Sequence, residues 1–275
     1  MYIVAIVVMH NPDLERFRIV IDQVSKQVNR VLMIDNDSKD RDKLRDLCRT
    51  ASNCDFVEVG FNSGVAHALR RGISYANRYA PDWLLFLDDD TILMDNAVDR
   101  ALGLIQNYRN LSSRIGAVLL GSHDGNCGIG EVKYGVFSGT LIRADVAAKV
   151  CCRDDFFLDQ ADFDMYSRIR ELGYLTFGIK CKLIDHKLGT KRWVPMLRRY
   201  VAYEPPWRYY YIVRNSTKLL FEYKMDIITY IIQLLHWGKG ILLVDGPRKL
   251  VKSFGLGIIH ALLDELGYID SKYFK

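Results

Sequence analysis

The sequence has few cysteines, and their spacing is unsuited to a zinc site. Structural zinc sites draw ligands from closely spaced pairs such as Cys-x-x-Cys, and this chain has none. We therefore expect no zinc site. Because the cysteines are scattered among apolar or mixed neighbours, we expect them to be reduced, in a cytosol-facing protein. The six residues are Cys48, Cys54, Cys127, Cys151, Cys152 and Cys181.

Three other features are missing. No stretch of 18 residues is free of charge, so we predict no transmembrane helix. The apolar N-terminus lacks a basic region and a cleavage site, which indicates a first core strand rather than a signal peptide. The glycines form neither a Gly-x-Gly-x-x-Gly motif nor a Walker loop, and this argues against NAD or P-loop ATP binding.

The composition is that of a globular protein. The chain has 275 residues, of which 49% are hydrophobic and 26% are charged. This length suffices for one large domain or for one domain with an appendage. The net charge of +5 is a mild excess, so where the basic residues lie matters more than their number.

Strands and helices alternate in the first third of the chain. Apolar runs predict strands at 2–8, 31–34, 56–59 and 83–87, and periodic patterns predict helices at 13–27, 40–49 and 65–78. This alternation is typical of a doubly wound parallel sheet. Since each strand ends in small polar residues, the shared edge of that sheet can hold a nucleotide.

An acidic run follows the fourth strand. The apolar residues 83–87 lead directly into Asp88, Asp89 and Asp90. In an extended backbone Asp88 and Asp90 point to the same side. The pair can therefore share Mg²⁺ or Mn²⁺. The alternative is a solvated acidic turn.

The middle of the chain carries three further candidates. A helix is predicted at 95–109, and strands at 115–120, 136–142 and 174–184. Ser138 and Gly139 interrupt the strand at 136–142, which marks either a bulge or the close approach of a ligand. His186 follows the last of these strands and gains functional weight only if the fold brings it to Asp88 and Asp90.

A second acidic feature lies at 156–168. We expect Asp159 to cap a helix whose first turn holds Asp162. A carboxylate beside a metal-bound substrate could act as a general base. The alternative is ordinary helix-start chemistry, which explains Asp159 but not three acids.

The C-terminal part is basic and aromatic. Between Lys187 and Lys224 there are nine Lys or Arg residues against two Glu, with interleaved Trp and Tyr. Such a surface could bind nucleic acid or could grip a diphosphate and an acidic membrane. Helices are predicted at 207–223, 226–237 and 248–266, the last two separated by glycines 238, 240 and 246. They either pack on the catalytic domain or attach to a membrane.

Taken together, the motifs of residues 1–220 resemble family 2 glycosyltransferases of the GT-A fold. The branch they resemble most is the bacterial rhamnosyltransferase-like one, which is related to galactofuranosyltransferases. Eight motifs in order carry the resemblance: Val7-Val8-Met9-His10-Asn11-Pro12, Ile34-Asp35-Asn36-Asp37-Ser38, Asn62-Ser63-Gly64-Val65-Ala66, Leu87-Asp88-Asp89-Asp90-Thr91, Phe137-Ser138-Gly139-Thr140, Phe157-Leu158-Asp159-Gln160-Ala161-Asp162, His186-Lys187-Leu188-Gly189 and Arg208-Tyr209-Tyr210-Tyr211-Ile212-Val213-Arg214-Asn215.

The resemblance implies a fold and residue roles. The fold would be α/β, with a Rossmann-like, mostly parallel central sheet flanked by helices and a helical C-terminal extension. Asp162 would be the catalytic base. The donor would contact His10, Asn11, Asp35, Asn62, Asp88, Asp89 and Arg214. The metal, Mn²⁺ or Mg²⁺, would be held by Asp90, Asp88 and His186, and the acceptor side would comprise Ser138, Gly139, Asp159 and Trp193.

Two positions depart from the family pattern. Asp37 replaces a common Gly, which is tolerable because Asp accepts unusual φ angles. His10 replaces the commoner Tyr or Phe. Both departures concern the nucleoside contacts.

The resemblance also implies an activity. We expect an inverting transfer from a nucleotide-diphospho-sugar, with dTDP-rhamnose the first choice and UDP-galactofuranose the second. The acceptor would be a polysaccharide or a lipid-linked saccharide. We expect residues 1–200 to form the catalytic domain and 201–275 a helical region for the acceptor or a membrane surface.

The expected location and partners follow from this activity, and three other functions stay open. The protein would be cytoplasmic or peripheral on the inner face of the membrane, with no nucleic-acid partner and with oligomer formation left open. The rival functions are a metal-dependent phosphatase, a nucleotidyltransferase and a non-enzymatic binding module.

Overall fold

The computed structural model describes residues 1–107, 114–186 and 189–274. In chain order, the strands are β1 (Ile3–Met9), β2 (Arg30–Asp35), β3 (Cys54–Glu58), β4 (Trp83–Asp88), β5 (Ile92–Leu93), β6 (Ile115–Leu119), β7 (Ile129–Glu131), β8 (Thr140–Arg143), β9 (Leu175–Ile179), β10 (Ile184–Asp185), β11 (Thr190–Val194) and β12 (Arg199–Tyr203). The helices are α1 (Leu14–Ser25), α2 (Arg41–Arg49), α3 (Val65–Ala76), α4 (Ala97–Gln106), α5 (Ala144–Val150), α6 (Ala161–Glu171), α7 (Pro206–Phe221), α8 (Ile227–Val244) and α9 (Pro247–Leu262).

The chain forms two compact units. The first comprises Met1–Cys152 and Met165–His186, and the second comprises Arg153–Asp164 and Lys187–Lys275. The functional division at residue 200 stays a prediction.

An eight-stranded sheet forms the centre of the first unit. Its strand order is β3-β2-β1-β4-β8-β6-β9-β7. Strands β1 to β4 are parallel to one another, β8 is antiparallel to both of its neighbours, and β7 is antiparallel to β9. The predicted mostly parallel sheet flanked by helices is confirmed.

The sequence explains why this sheet is covered on both faces. Every residue of β1 is buried, as expected for a continuous apolar run in a parallel sheet. Helix α1 begins where predicted, because the Asp13 carboxylate accepts hydrogen bonds from the backbone N–H groups of Glu15 and Arg16. Its inward face contributes Phe17 and Ile21 to the core.

Two predicted strands are shorter than expected. The run at 136–142 becomes extended only at Thr140, because Gly139 has a φ of +84°. The run at 174–184 divides into β9, which joins the large sheet, and β10, which pairs with β5 instead. Of the helix predicted at 95–109, residues 108 and 109 lie outside the described residues.

The predicted end of the helix at residue 237, before Gly238 and Gly240, is wrong. Helix α8 continues through Gly238 and Gly240 to Val244. At Gly240 a side chain would collide with the carbonyl oxygen of Ala202 in β12, so glycine here permits close packing of helix and strand. Tyr209, Val213 and Ile241 form a small core between α7 and α8 in the second unit.

The prediction of reduced cysteines is also wrong. The structure pairs the cysteines as Cys48–Cys54, Cys127–Cys181 and Cys151–Cys152. The fold brings Cys48 and Cys54 together at the α2–β3 junction, and Cys127 and Cys181 together beside β9. The spacing of the cysteines in the sequence does not reveal these contacts.

One described helix bears on the prediction that no segment spans a membrane. Helix α8 is long and apolar enough to cross a bilayer by length and composition, although Lys239 interrupts it. One such helix is weak evidence of a span.

Candidate active site

The three acids lie where the sheet ends. Asp88 is the last residue of β4, and Asp89 and Asp90 form the turn that follows. This is the carboxyl edge of the parallel strands, the usual location of ligand sites in such sheets. The backbone amide N–H of Asp88 donates to the Ser138 hydroxyl at 2.9 Å, and this hydroxyl also lies 2.7 Å from that of Thr91.

A short ladder brings His186 to the acids. Strands β5 and β10 pair antiparallel, with Asp185 opposite Ile92. His186 Nε2 consequently lies 3.6 Å from Asp88 Oδ2 and 3.7 Å from Asp90 Oδ1. The fold therefore brings His186 close to Asp88 and Asp90, which is the condition for a functional role of this histidine.

Asp88, Asp90 and His186 form a cluster that could hold a metal ion. One ligand atom of each residue lies within 4.8 Å of the others, which is close enough for the three side chains to share a single cation after small side-chain adjustments. Carboxylate and imidazole ligands suit Mn²⁺ and, through the carboxylates, Mg²⁺. The residues present fit such an ion.

The pKa values indicate that this cluster holds excess negative charge in a partly buried place. Burial raises the pKa of Asp89 to about 7, and the charges of Asp88 and Asp90 add to the rise. Burial also raises the pKa of Asp90, against the lowering effect of His186. Burial lowers the pKa of His186, but the nearby carboxylates of Asp88 and Asp90 raise it overall. A bound cation would relieve this repulsion.

Arg16 was missed by the sequence reasoning. Its Nε–H donates to the Asp90 carbonyl at 2.7 Å, and its NH2 group donates to Asp185 Oδ2 at 2.9 Å. Arg16 thus ties the acidic turn to the strand that carries His186. Because it lies on the first helix, far along the chain from both, its sequence position gave no signal of this role.

A polar cleft adjoins the acids. It has a volume of about 610 Å³. The backbone N–H of His10 donates to Asp89 Oδ2 at 3.1 Å, which joins the cleft to the acidic run. The cleft is lined by His10, Asn11, Asp37, Ser38, Lys39 and Arg41.

Two predicted donor residues lie beside or beneath this cleft. Asp35 is fully buried and accepts hydrogen bonds from the Ser38 N–H and the Arg41 Nε–H, both at 3.0 Å. The Asn62 side chain lies 3.4 Å from His10 Nε2. Asp37 has a φ of +73°, the conformation that Gly would adopt easily in its place. Direct contact of Asp35 and Asn62 with a nucleoside stays a prediction.

The predicted base lies in the second unit. Asp162 is in the first turn of α6 and is partly buried, and its carboxylate accepts a hydrogen bond from the Phe163 N–H. The helix begins at Ala161, so Gln160 rather than Asp159 precedes it, and the predicted Asp159 cap is wrong. Asp159 instead accepts hydrogen bonds from Arg208 at 3.1 Å.

The loop before α6 has an unusual backbone. Asp159 and Gln160 have φ angles of +59° and +67°. Two successive non-glycine residues in this region are uncommon, and strained backbone of this kind is found at ligand and active sites as well as in turns. The approach of Asp162 to the metal cluster stays a prediction.

Two other predicted residues also belong to the second unit. Arg214 is 1% exposed and donates to the carbonyls of Gly267 at 2.9 Å and Glu265 at 3.4 Å. It therefore holds the C-terminal segment, and its contact with a diphosphate stays a prediction. Trp193 is half exposed and its ring packs against Tyr200.

Part of the chain matches a known protein family. Residues 4–117 match the model of glycosyl transferase family 2. A dTDP-rhamnosyl transferase, RfbF of Shigella flexneri, is 24% identical over 243 residues, and the match covers 79% of this chain and 79% of the relative.

Solved structures share the fold. The S. aureus TarS structure matches 99% of this chain with a TM-score of 0.62 and 14% identity, and the match spans 50% of the TarS chain. A TarS fragment in complex with UDP-GlcNAc matches 96% of this chain and 88% of its own, with a TM-score of 0.54 and 15% identity. GalNAc-T7 with UDP, GalNAc and Mn²⁺ matches 67% of this chain and 43% of its own, with a TM-score of 0.55 and 11% identity.

Proposed function

We propose that this chain, of which residues 4–117 match glycosyl transferase family 2, is an inverting, metal-dependent glycosyltransferase that uses a nucleotide-diphospho-sugar. This class accounts for the acidic cluster and the adjoining cleft together. The phosphatase, nucleotidyltransferase and binding-module alternatives lose their support, because the family match and the rhamnosyl transferase relative both indicate glycosyl transfer.

One observation carries the proposal. The Asp88–Asp90–His186 cluster lies next to the cleft around Asn11, and a hydrogen bond from His10 to Asp89 joins them. A nucleoside in the cleft would direct its diphosphate toward the cluster. Asn11, His10 and Lys39 would contact the nucleoside side of the donor.

Asp88, Asp90 and His186 would hold Mn²⁺ or Mg²⁺. When bound, the cation would offset the charge that develops on the leaving diphosphate. Arg16 would keep the acidic turn and the His186 strand in register through its contacts with Asp90 and Asp185.

Asp162 would be the general base. In the transfer step its carboxylate takes the proton of an acceptor hydroxyl. The acceptor oxygen then forms a bond to the anomeric carbon from the face opposite the diphosphate. The bond from that carbon to the phosphate oxygen breaks, and the nucleoside diphosphate leaves with the electron pair.

The donor we propose is dTDP-rhamnose. The relative from Shigella flexneri is named as a dTDP-rhamnosyl transferase and spans most of this chain. UDP-galactofuranose is the alternative, on the motifs shared with galactofuranosyltransferases. The UDP and UDP-GlcNAc complexes of TarS support the broader class of nucleotide-sugar.

The acceptor we propose is a polysaccharide or a saccharide on a lipid carrier. The basic, aromatic second unit suits such a substrate, with Asp159, Ser138, Gly139 and Trp193 on the acceptor side. A lipid-linked acceptor would bring a cytoplasmic enzyme to the inner face of the membrane.

A donor screen tests this proposal. The protein is incubated with Mn²⁺ and, in turn, dTDP-rhamnose, UDP-galactofuranose, UDP-glucose and GDP-mannose, and nucleotide release and thermal shift are followed. We expect selective stabilisation by dTDP-rhamnose that is abolished by EDTA and by Asp90→Ala. The matched control Asp99→Ala changes an exposed acid on α4 and should respond as the wild type does. Equal responses with and without metal would contradict the metal-dependent mechanism.

A further inference from the structure

A β-hairpin in the second unit exposes apolar side chains at its tip. Strands β11 and β12 pair antiparallel from Thr190 opposite Tyr203 to Val194 opposite Arg199. Residues 195–198 make the turn between them. In that turn Met196 is 78% exposed and Leu197 is 37% exposed. Leaving such side chains exposed is unfavourable in water.

Aromatic side chains lie just behind the tip. Trp193 and Tyr200 face each other across the two strands, with ring centroids 5.2 Å apart. They are 51% and 65% exposed. Trp and Tyr concentrate where the lipid head groups meet the hydrocarbon of a membrane, because each combines an apolar ring with a polar group.

The hairpin is also strongly basic. It contains Lys191, Arg192, Arg198 and Arg199, all exposed, and residues 189–203 include no Asp or Glu. In the part of the chain that the structure describes, none of these four cations forms an ion pair. Cations placed beside exposed apolar groups are suited to an anionic lipid surface, where their stems lie along the acyl boundary and their charges meet the head groups.

We propose that this hairpin docks on an anionic bilayer, with Met196 and Leu197 entering the acyl boundary and Trp193 and Tyr200 at head-group depth. A saccharide could stack on Trp193 and Tyr200, but it would leave the apolar tip in water. A second copy of the hairpin would carry the same four positive charges and would be repelled. The bilayer accounts for the tip, the aromatic pair and the charge together.

Docking of this hairpin would provide the membrane attachment proposed above. Only the biological purpose of the docking rests on the proposed function. Binding is measured without donor or acceptor, so loss of vesicle binding and loss of sugar transfer are separate results. The full chain is mixed with extruded vesicles of phosphatidylcholine alone or with 30% phosphatidylglycerol, and the bound fraction is measured by sedimentation.

We expect binding to the anionic vesicles only. Met196→Asp with Leu197→Asp should lower the partition coefficient by at least tenfold, and Arg198→Glu with Arg199→Glu by at least twenty-fivefold, on the basis of about fivefold per basic residue. Two matched controls should bind as the wild type does. Ile19→Asp changes an exposed apolar residue on α1, and Lys43→Glu with Arg49→Glu reverses two exposed charges on α2.

Fluorescence provides a test that needs no destabilising variant. Brominated phosphatidylcholine in the anionic vesicles should quench part of the tryptophan emission of the wild type, and Trp193→Phe should remove that part. We call Met196→Asp with Leu197→Asp, and Arg198→Glu with Arg199→Glu, the two tip variants. Vesicle binding that persists in both of them overturns the proposal. Binding that is lost in Ile228→Asp with Ile232→Asp on α8, but not in the tip variants, overturns it in favour of that helix.

Discussion

The side-chain amide of Asn215 donates hydrogen bonds to the backbone carbonyls of Leu158 and Asp159, at 2.8 and 3.0 Å. Asn215 is fully buried on α7. It therefore holds the left-handed backbone of Asp159 and Gln160 that leads into the helix of Asp162. Asn215 is a positioning residue for the proposed base.

Asn215→Leu should release the loop at Asp159 and Gln160 from α7. Two partly buried carbonyls would lose their donors, at a cost of up to about 1–3 kcal/mol each. We expect kcat to fall about 10- to 100-fold with little change in the donor KM, because misplacing a catalytic group affects the chemical step. Steady-state kinetics with the identified donor measures this. Thr217→Val, which removes a buried hydroxyl on the same helix, should lower stability but leave kcat close to wild type. A rise in KM with an unchanged kcat would assign Asn215 to donor binding instead.

Asp162→Asn tests the base directly. An amide cannot take the acceptor proton, so turnover should fall by roughly 10²- to 10⁴-fold. Donor and metal binding should persist in calorimetric titration. The control is Asp99→Asn on α4. Near wild-type turnover in a folded Asp162→Asn protein would show that another group accepts the proton.

Ser138→Ala should weaken metal binding without touching a ligand. The Ser138 hydroxyl accepts the Asp88 N–H and contacts Thr91, so it fixes the backbone that presents Asp88. Loss of such supporting contacts costs about 10- to 100-fold in metal affinity. Titration with Mn²⁺ in the presence of the nucleotide measures it. Ser167→Ala on α6 removes a comparably buried hydroxyl away from the acids and should leave the affinity unchanged.

Gly139→Ala should destabilise the fold at the edge of the site. Gly139 has a φ of +84°, and a Cβ there would lie 2.6 Å from Ile184 Cδ1 in β10. We expect a loss of about 1–3 kcal/mol in the free energy of unfolding, seen as a lower denaturant midpoint. Gly103→Ala is the control, because a Cβ at this position in α4 meets no atom within 4 Å. It should stabilise the protein by up to about 1 kcal/mol.

The strands of the first unit could be predicted because they are continuous apolar runs that end in polar residues. The run at 83–87 identified both β4 and the edge that carries Asp88 and Asp90. The hydrophobic periodicity of α1 was equally local, and so was the tolerance of Asp37 for an unusual φ. These features depend on neighbours in sequence, which the amino-acid pattern records.

Features that depend on distant packing were not predictable. Glycine has a low helix propensity, so Gly240 was read as a helix break. In the fold α8 continues through it, and the absence of a side chain at Gly240 lets β12 pack closely against the helix. Arg16 joins Asp90 to Asp185 only once the β5–β10 ladder has formed. Arg214 was assigned to the diphosphate from its motif, and its burial against the carbonyls of Glu265 and Gly267 is visible only in the folded second unit.

The β5–β10 ladder also determines when the site can exist during synthesis. Asp88 and His186 are separated by more than a third of the chain, and two residues on each strand bring them together. A nascent chain that has emerged only to residue 117 contains the whole segment matched to the family, but it lacks His186, the third ligand of the proposed metal site. That proposed site would therefore be complete only after residue 186 has left the ribosome, and an expression fragment must extend at least that far to be tested for metal binding.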